Sequence, residues 1–121
     1  MKIKQIVSVA SLLLFSLVAC SKEQKSAVPL QEFKTTVQGV CESCKQRIEG
    51  TLMSKPGVST ASWNKDTKEV VVNADPAQIT VEKIQEYVSA VGHDAPNHKA
   101  NDDVYPALPE CCKYRDGQIA H

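Results

Sequence analysis

The rhythm of apolar and polar positions changes several times along the chain. Residues 6–18 form an apolar run broken only by serines. Residues 21–31 are polar, with no apolar period, and predict a flexible spacer. Phe33, Thr35 and Val37 then alternate with Lys34, Thr36 and Gln38, which predicts a strand ending at Gly39. From Glu42 to Lys55 the period becomes helical, because Cys44, Ile48 and Leu52 recur at i+4 and Pro56-Gly57 stops the run. Val58 to Asn64 predicts a second strand with Ala61 and Trp63 inward. Lys65 to Lys68 predicts a turn. Glu69 to Ala74 predicts a third strand, with Val70 and Val72 on one face and Val71 on the other. Thr80 is placed to cap a second helix over Val81 to Val91, whose stripe is Val81, Ile84, Val88 and Val91, and Gly92 closes it. His93-Asp94-Ala95 predicts a short fourth strand before Pro96.

The order is β-α-β-β-α-β in one small α+β unit, the split βαβ or ferredoxin-like sandwich. Each helix has a single apolar stripe, so both are expected on one face of a four-stranded antiparallel sheet. Trp63 and Tyr87 are expected to pack rather than to bind.

The apolar run at the start has another use. Lys2 and Lys4 precede it and Leu17-Val18-Ala19-Cys20 closes it, a pattern too short and wrongly flanked for an ordinary membrane span. It reads as a secretory signal, and its last four residues resemble a bacterial lipobox, which implies lipidation of Cys20. The expected organisation is a signal peptide over 1–19, a tether with lipidated Cys20 over 20–31, a folded domain over 32–96, and a polar linker with a Cys-Cys tail over 97–121. The expected location is the cell envelope, anchored to a bacterial membrane at the outer membrane or the periplasmic face. Removing Lys2 and Lys4 leaves 12 basic against 14 acidic side chains. With no basic patch and few aromatics, nucleic acid is not an expected partner.

Cys41, Cys44, Cys111 and Cys112 remain beside Cys20. In an oxidising compartment an even count can mean disulfides. Adjacent Cys111 and Cys112 would bridge only with strain, and Cys41–Cys44 closes too small a loop to staple much; pairing across the two groups stays open. Cys41 and Cys44 sit where a loop enters a helix. Unpaired N–H groups and the macrodipole there favour thiolate over thiol. Glu42 opposes this slightly. Two thiolates on one short loop suit Cu(I), Zn(II) or a similar thiophilic ion. Lys113 and Arg115 beside Cys111 and Cys112 predict an electropositive, exposed and reactive pair.

Gly39-Val40-Cys41-Glu42-Ser43-Cys44, Ile48-Glu49, Pro56-Gly57-Val58, the Val70/Val72 strand and Val91-Gly92-His93 together resemble the heavy-metal-associated domain family, the copper-chaperone-like proteins. The resemblance covers roughly Glu32 to Ala95. It implies binding of a soft ion by Cys41 and Cys44, Cu(I) foremost with Hg(II) or Zn(II) as alternatives. It also implies ligand exchange with a metal-transporting protein or another such domain, and allows a metal-bridged homodimer. No catalytic residues are implied. The family usually carries Gly-Met-x-Cys-x-x-Cys; here Gly39-Val40-Cys41 is one residue shorter and lacks the Met, which marks a subgroup. His93 matches a position close to the metal loop in bacterial members. Leu108-Pro109-Glu110-Cys111-Cys112 is similar to tails of mercury- and copper-handling members, which makes Cys111 and Cys112 candidate extra ligands or a relay. His98 and His121 are expected to be solvated. Two rival classes follow from the same cysteines: a thiol–disulfide oxidoreductase, since C-x-x-C serves that chemistry, and a structural zinc module held by four cysteines.

Overall fold

The computed structural model describes residues 29–117. The signal segment, Cys20, most of the tether and His121 lie outside the described residues. Three strands form: β1 (Gln31–Thr36), β2 (Val58–Trp63) and β3 (Glu69–Ala74). Two helices form: α1 (Glu42–Met53) and α2 (Val81–Ala90). The sheet is antiparallel with β3 in the middle, in the order β1-β3-β2. Phe33 faces Val72 and Thr35 faces Val70, while Trp63 also faces Val70 from the other side. The β2–β3 register slips once between Val58 and Thr60.

One face of this sheet is covered. Val70, Val72 and Ala74 are fully buried, as are Ile48 and Leu52 of α1 and Ile84 and Val88 of α2. The i+4 stripe on α1 and the alternation on β3 therefore meet in one core, driven by removal of apolar surface from water. Thr80 caps α2 as its spacing suggests, accepting from the Lys83 amide at 3.2 Å. Val81 of the predicted stripe stays exposed, and Val91, the residue that ends the helix, is only partly buried. Gln85 is buried instead: its amide donates to Thr35 Oγ1 at 2.9 Å and accepts from the Asn97 N–H at 3.1 Å.

The fourth strand does not form. His93-Asp94-Ala95 keeps a single ladder-like bond, from the Gln38 amide to the Asp94 carbonyl at 2.9 Å. The other groups are diverted. The Asp94 amide donates to Tyr114 Oη at 2.8 Å, and Ala95 pairs with His98 in an isolated bridge. The chain after the second helix has thus exchanged strand pairing for contacts with its own C-terminal segment.

That segment lies on the domain. Three short 3₁₀ turns at Tyr105–Ala107, Glu110–Cys112 and Tyr114–Asp116 carry it, and Tyr105, Leu108 and Cys112 join the core. Gly92, at φ +104°, lets Leu108 approach: a Cβ there would come within 2.8 Å of Leu108 Cδ2. Among the described residues no helix is long and apolar enough to cross a membrane.

Candidate metal centre

The loop from β1 to α1 is fastened before its cysteines are reached. The Trp63 indole N–H donates to the Val37 carbonyl at 3.0 Å, and Lys68 Nζ donates to the Gly39 carbonyl. Gly39 has no room for a side chain: a Cβ would lie 3.0 Å from both Cys44 Cβ and the Trp63 ring. Trp63 is a packing residue, as expected, and it shapes the loop as well. Cys41 then stands in extended backbone as the residue before the helix, with its carbonyl accepting from the Lys45 amide at 3.1 Å.

Four sulfurs gather at this point. Cys41 Sγ lies 3.3 Å from Cys44, 3.2 Å from Cys112 and 3.5 Å from Cys111. Cys111 and Cys112 are 3.9 Å apart. The ligand atoms of Cys41, Cys111 and Cys112 all lie within 4.8 Å of one another. All four are free thiols. Cys41, Cys44 and Cys112 are buried, and Cys111 is exposed. The donor set is sulfur alone, which fits a soft, thiophilic ion and not a hard one.

Two expectations about these thiols change. The helix start does not leave the motif cysteines poised as thiolates. Burial pushes Cys41 and Cys44 up, outweighing the backbone hydrogen bonds that lower them. Burial also raises Cys112. Cys111 is the lowered one, because hydrogen bonds from Cys41 and Ser43 favour its thiolate. Second, the tail pair is not uniformly exposed, and Lys113 and Arg115 are engaged by other groups. Lys113 donates to the Pro106 carbonyl at 2.8 Å and Arg115 is held by Asp94. The cation at the sulfurs is Arg47 of α1, whose Nη1 donates to Cys112 Sγ at 3.4 Å. Arg47 was missed in the sequence: its place three residues after Cys44 puts it on the same side of the helix, but its partner Cys112 comes from the tail.

His93 is buried, with no exposed surface. Its Nδ1 lies 2.7 Å from the Gln38 carbonyl, so Nδ1 carries the proton and donates; Nε2 is left as a buried acceptor without a hydrogen-bond partner among the described residues. Burial holds its pKa down at about 4. It lies outside the group of sulfurs within 4.8 Å of one another and stacks on Tyr114 at 5.8 Å. His98 pairs with Glu82 at the surface. Tyr87 packs half-buried against the core with Lys55 over its ring.

A latch holds the tail in place. Arg115 grips Asp94 with two bonds, at 2.6 and 2.9 Å, and also donates to the Ala100 carbonyl at 3.0 Å. Tyr114 Oη donates to the Gly92 carbonyl at 2.8 Å while accepting from the Asp94 amide. Tyr105 Oη accepts from the Arg115 amide at 2.8 Å.

The profile of the heavy-metal-associated domain matches residues 34–94, half of the chain. The chain belongs to this family. Among curated relatives, a zinc-transporting ATPase of Synechocystis is 36% identical over 74 residues, 60% of this chain and 10% of the ATPase. A copper-exporting P-type ATPase of Bacillus subtilis is 33% identical over 86 residues, 70% of this chain and 11% of that protein. The chain thus spans about a tenth of either ATPase. The copper chaperone CopZ of Staphylococcus epidermidis is 34% identical over 59 residues, 48% of this chain and 87% of the chaperone. Among solved structures, a CopZ metallochaperone superposes with a TM-score of 0.52 at 25% identity, over 55% of this chain and all of its own. The soluble region of CopA from Bacillus subtilis gives 0.51 at 36% identity, over 55% of this chain and 44% of its own. This heavy-metal-associated domain thus has two helices and a three-stranded sheet. Its family match ends at residue 94, before the segment that brings Cys111 and Cys112 to the motif.

Proposed function

We propose that this protein binds a soft metal ion and hands it on, with Cu(I) the first candidate and Hg(II) or Zn(II) behind it. Cys41 and Cys44 are the primary ligands, Cys111 and Cys112 adjoin them as further donors, and His93 stands behind the loop as a reserve ligand. The observation that carries this reading is the gathering of four thiols around Cys41 with no oxygen or nitrogen donor in the tight group. Similarity to a copper chaperone and to metal-transporting ATPases supports metal transfer as the activity. The recipient is a metal-transporting protein or another domain of this family, and a metal-bridged homodimer is a second route. The chain works from a membrane surface, tethered through lipidated Cys20 in the cell envelope.

The chemistry is ligand exchange. A low-coordinate ion accepts an incoming thiolate before an outgoing one leaves, so no bare ion is released and no nucleotide or catalytic base is required. Burial that raises the Cys41 and Cys44 thiols in the metal-free protein makes binding release protons, so affinity rises with pH. The fold does not depend on metal, because the core of Ile48, Leu52, Val70, Val72, Ile84 and Val88 is apolar throughout. This separates the reading from a structural zinc module.

The test is the double variant Cys41→Ser/Cys44→Ser, read by Cu(I) competition against a chromogenic chelator, with circular dichroism as a check on folding. Tight binding should disappear while the spectrum is kept. Undiminished affinity in the folded variant would overturn the assignment.

A further inference from the structure

The family motif offers two sulfurs, and the tail adds two more: Cys41, Cys111 and Cys112 all lie within 4.8 Å of one another. Cys41 is common to both arrangements, with Cys44 at 3.3 Å on one side and Cys112 and Cys111 at 3.2 and 3.5 Å on the other. The segment that brings in the two tail sulfurs is not loosely draped. Tyr105 and Leu108 are built into the core, Leu108 seats on Gly92, and Asp94 and Arg115 clamp the far end. Arg47 approaches Cys112 from α1.

We propose that the C-terminal segment builds a three-thiolate metal site from Cys41, Cys111 and Cys112, sharing with the two-cysteine motif the Cys41 sulfur alone. The inference rests on the soft-metal reading above and deepens it. The two motif cysteines are then inequivalent. Cys41 belongs to both stations, and Cys44 belongs to one. Movement between stations keeps the Cys41–metal bond. The bond to Cys44 breaks and its sulfur takes a proton from solvent; bonds to Cys111 and Cys112 form, and each thiol gives a proton to solvent. The oxidation state of the ion does not change. Three thiolates around a monovalent ion carry a net charge of −2, and the adjacent Arg47 guanidinium offsets one unit of it. Cys111 is the exposed member and marks the side from which a recipient's sulfur enters.

The test uses Cu(I)-loaded full chain, with sulfur coordination from X-ray absorption and affinity from chelator competition. Wild type and Cys44→Ser should both show three sulfurs, because the three-thiolate set is built from Cys41, Cys111 and Cys112. Cys41→Ser should lose at least about a hundredfold, because it removes a ligand from both stations. Cys111→Ser/Cys112→Ser should fall to two sulfurs. Because Cys44 is fully buried, Cys44→Ala is run beside the serine variant, and circular dichroism confirms folding of each. Two sulfurs in wild type, or loss of the third sulfur in a folded Cys44 variant, overturns the three-thiolate site and leaves the motif pair as the binding site. Failure of wild type to bind Cu(I) at all would sink the broader metal-transfer reading instead.

Discussion

Removing one oxygen atom from Tyr114 tests whether the tail is docked by polar bonds as well as by burial. Tyr114→Phe keeps the ring stack on His93 and the edge contact with Tyr105 at 5.2 Å. It deletes the hydroxyl that accepts from the Asp94 amide and donates to the Gly92 carbonyl, both at 2.8 Å. Two hydrogen bonds at about 1 kcal/mol net each give a loss of about 2 kcal/mol, since the site is only half-buried and the full penalty of an orphaned group does not apply. For a domain of this size that is a fall of roughly 8–16 °C in unfolding temperature if the loss is felt globally. If the tail instead opens locally, the ceiling is its own docking free energy, and the change appears as loss of amide protection at Asp94 by about 30-fold. Thermal unfolding and native-state hydrogen exchange on the metal-free protein together read both outcomes. An unchanged midpoint with unchanged exchange at Asp94 would refute the idea that this hydroxyl bridges domain and tail.

Three further outcomes follow from the same geometry. His93 titrates near 6.5 when unfolded and at about 4 when buried, so the unfolded chain binds more protons between those values. Stability of the metal-free protein should therefore fall as pH drops from 6.5 toward 4, by up to about 3 kcal/mol, and chemical denaturation of His93→Gln should lack that slope. Gly92→Ala places a side chain at φ +104° against Leu108 and should cost about 2–4 kcal/mol, seen as a lowered denaturation midpoint; no loss would mean the tail can shift without penalty. Arg115→Gln removes the bidentate grip on Asp94, about 2 kcal/mol of charge-assisted bonding, and should speed alkylation of buried Cys112 by about 30-fold in metal-free protein.

Much of this was legible in residue order. Cys44, Ile48 and Leu52 at i+4 and Val70 and Val72 at i+2 are all fully buried, because local periodicity has one solution when a single face must be dry. The Gly39 loop and the Cys41/Cys44 pair were legible for the same local reason. The fourth strand failed because its backbone groups had a rival partner from 20 residues away, Tyr114, which no local pattern reveals. Gln85 is buried through Thr35 and Asn97, both distant in sequence. The docking of the tail did leave a trace: Tyr105, Leu108 and Cys112 follow an i, i+3, i+7 spacing. Pro106 and Pro109 interrupt it, so the segment reads as linker when it is a chain of 3₁₀ turns. Arg47 needed the tail in place before its partner Cys112 could be seen.

Leaving the fourth strand unmade has a cost at the other side of the sheet. β1 is an outer strand, and beyond the Gln38–Asp94 bond it has no neighbour to zip against among the described residues. Such a border is a template on which foreign chains can add and assemble into fibres. Here Glu32 and Lys34 stand exposed along it, paired to each other at 3.2 Å. An arriving strand would have to bury or displace that pair of charges, so the border discourages stacking between molecules.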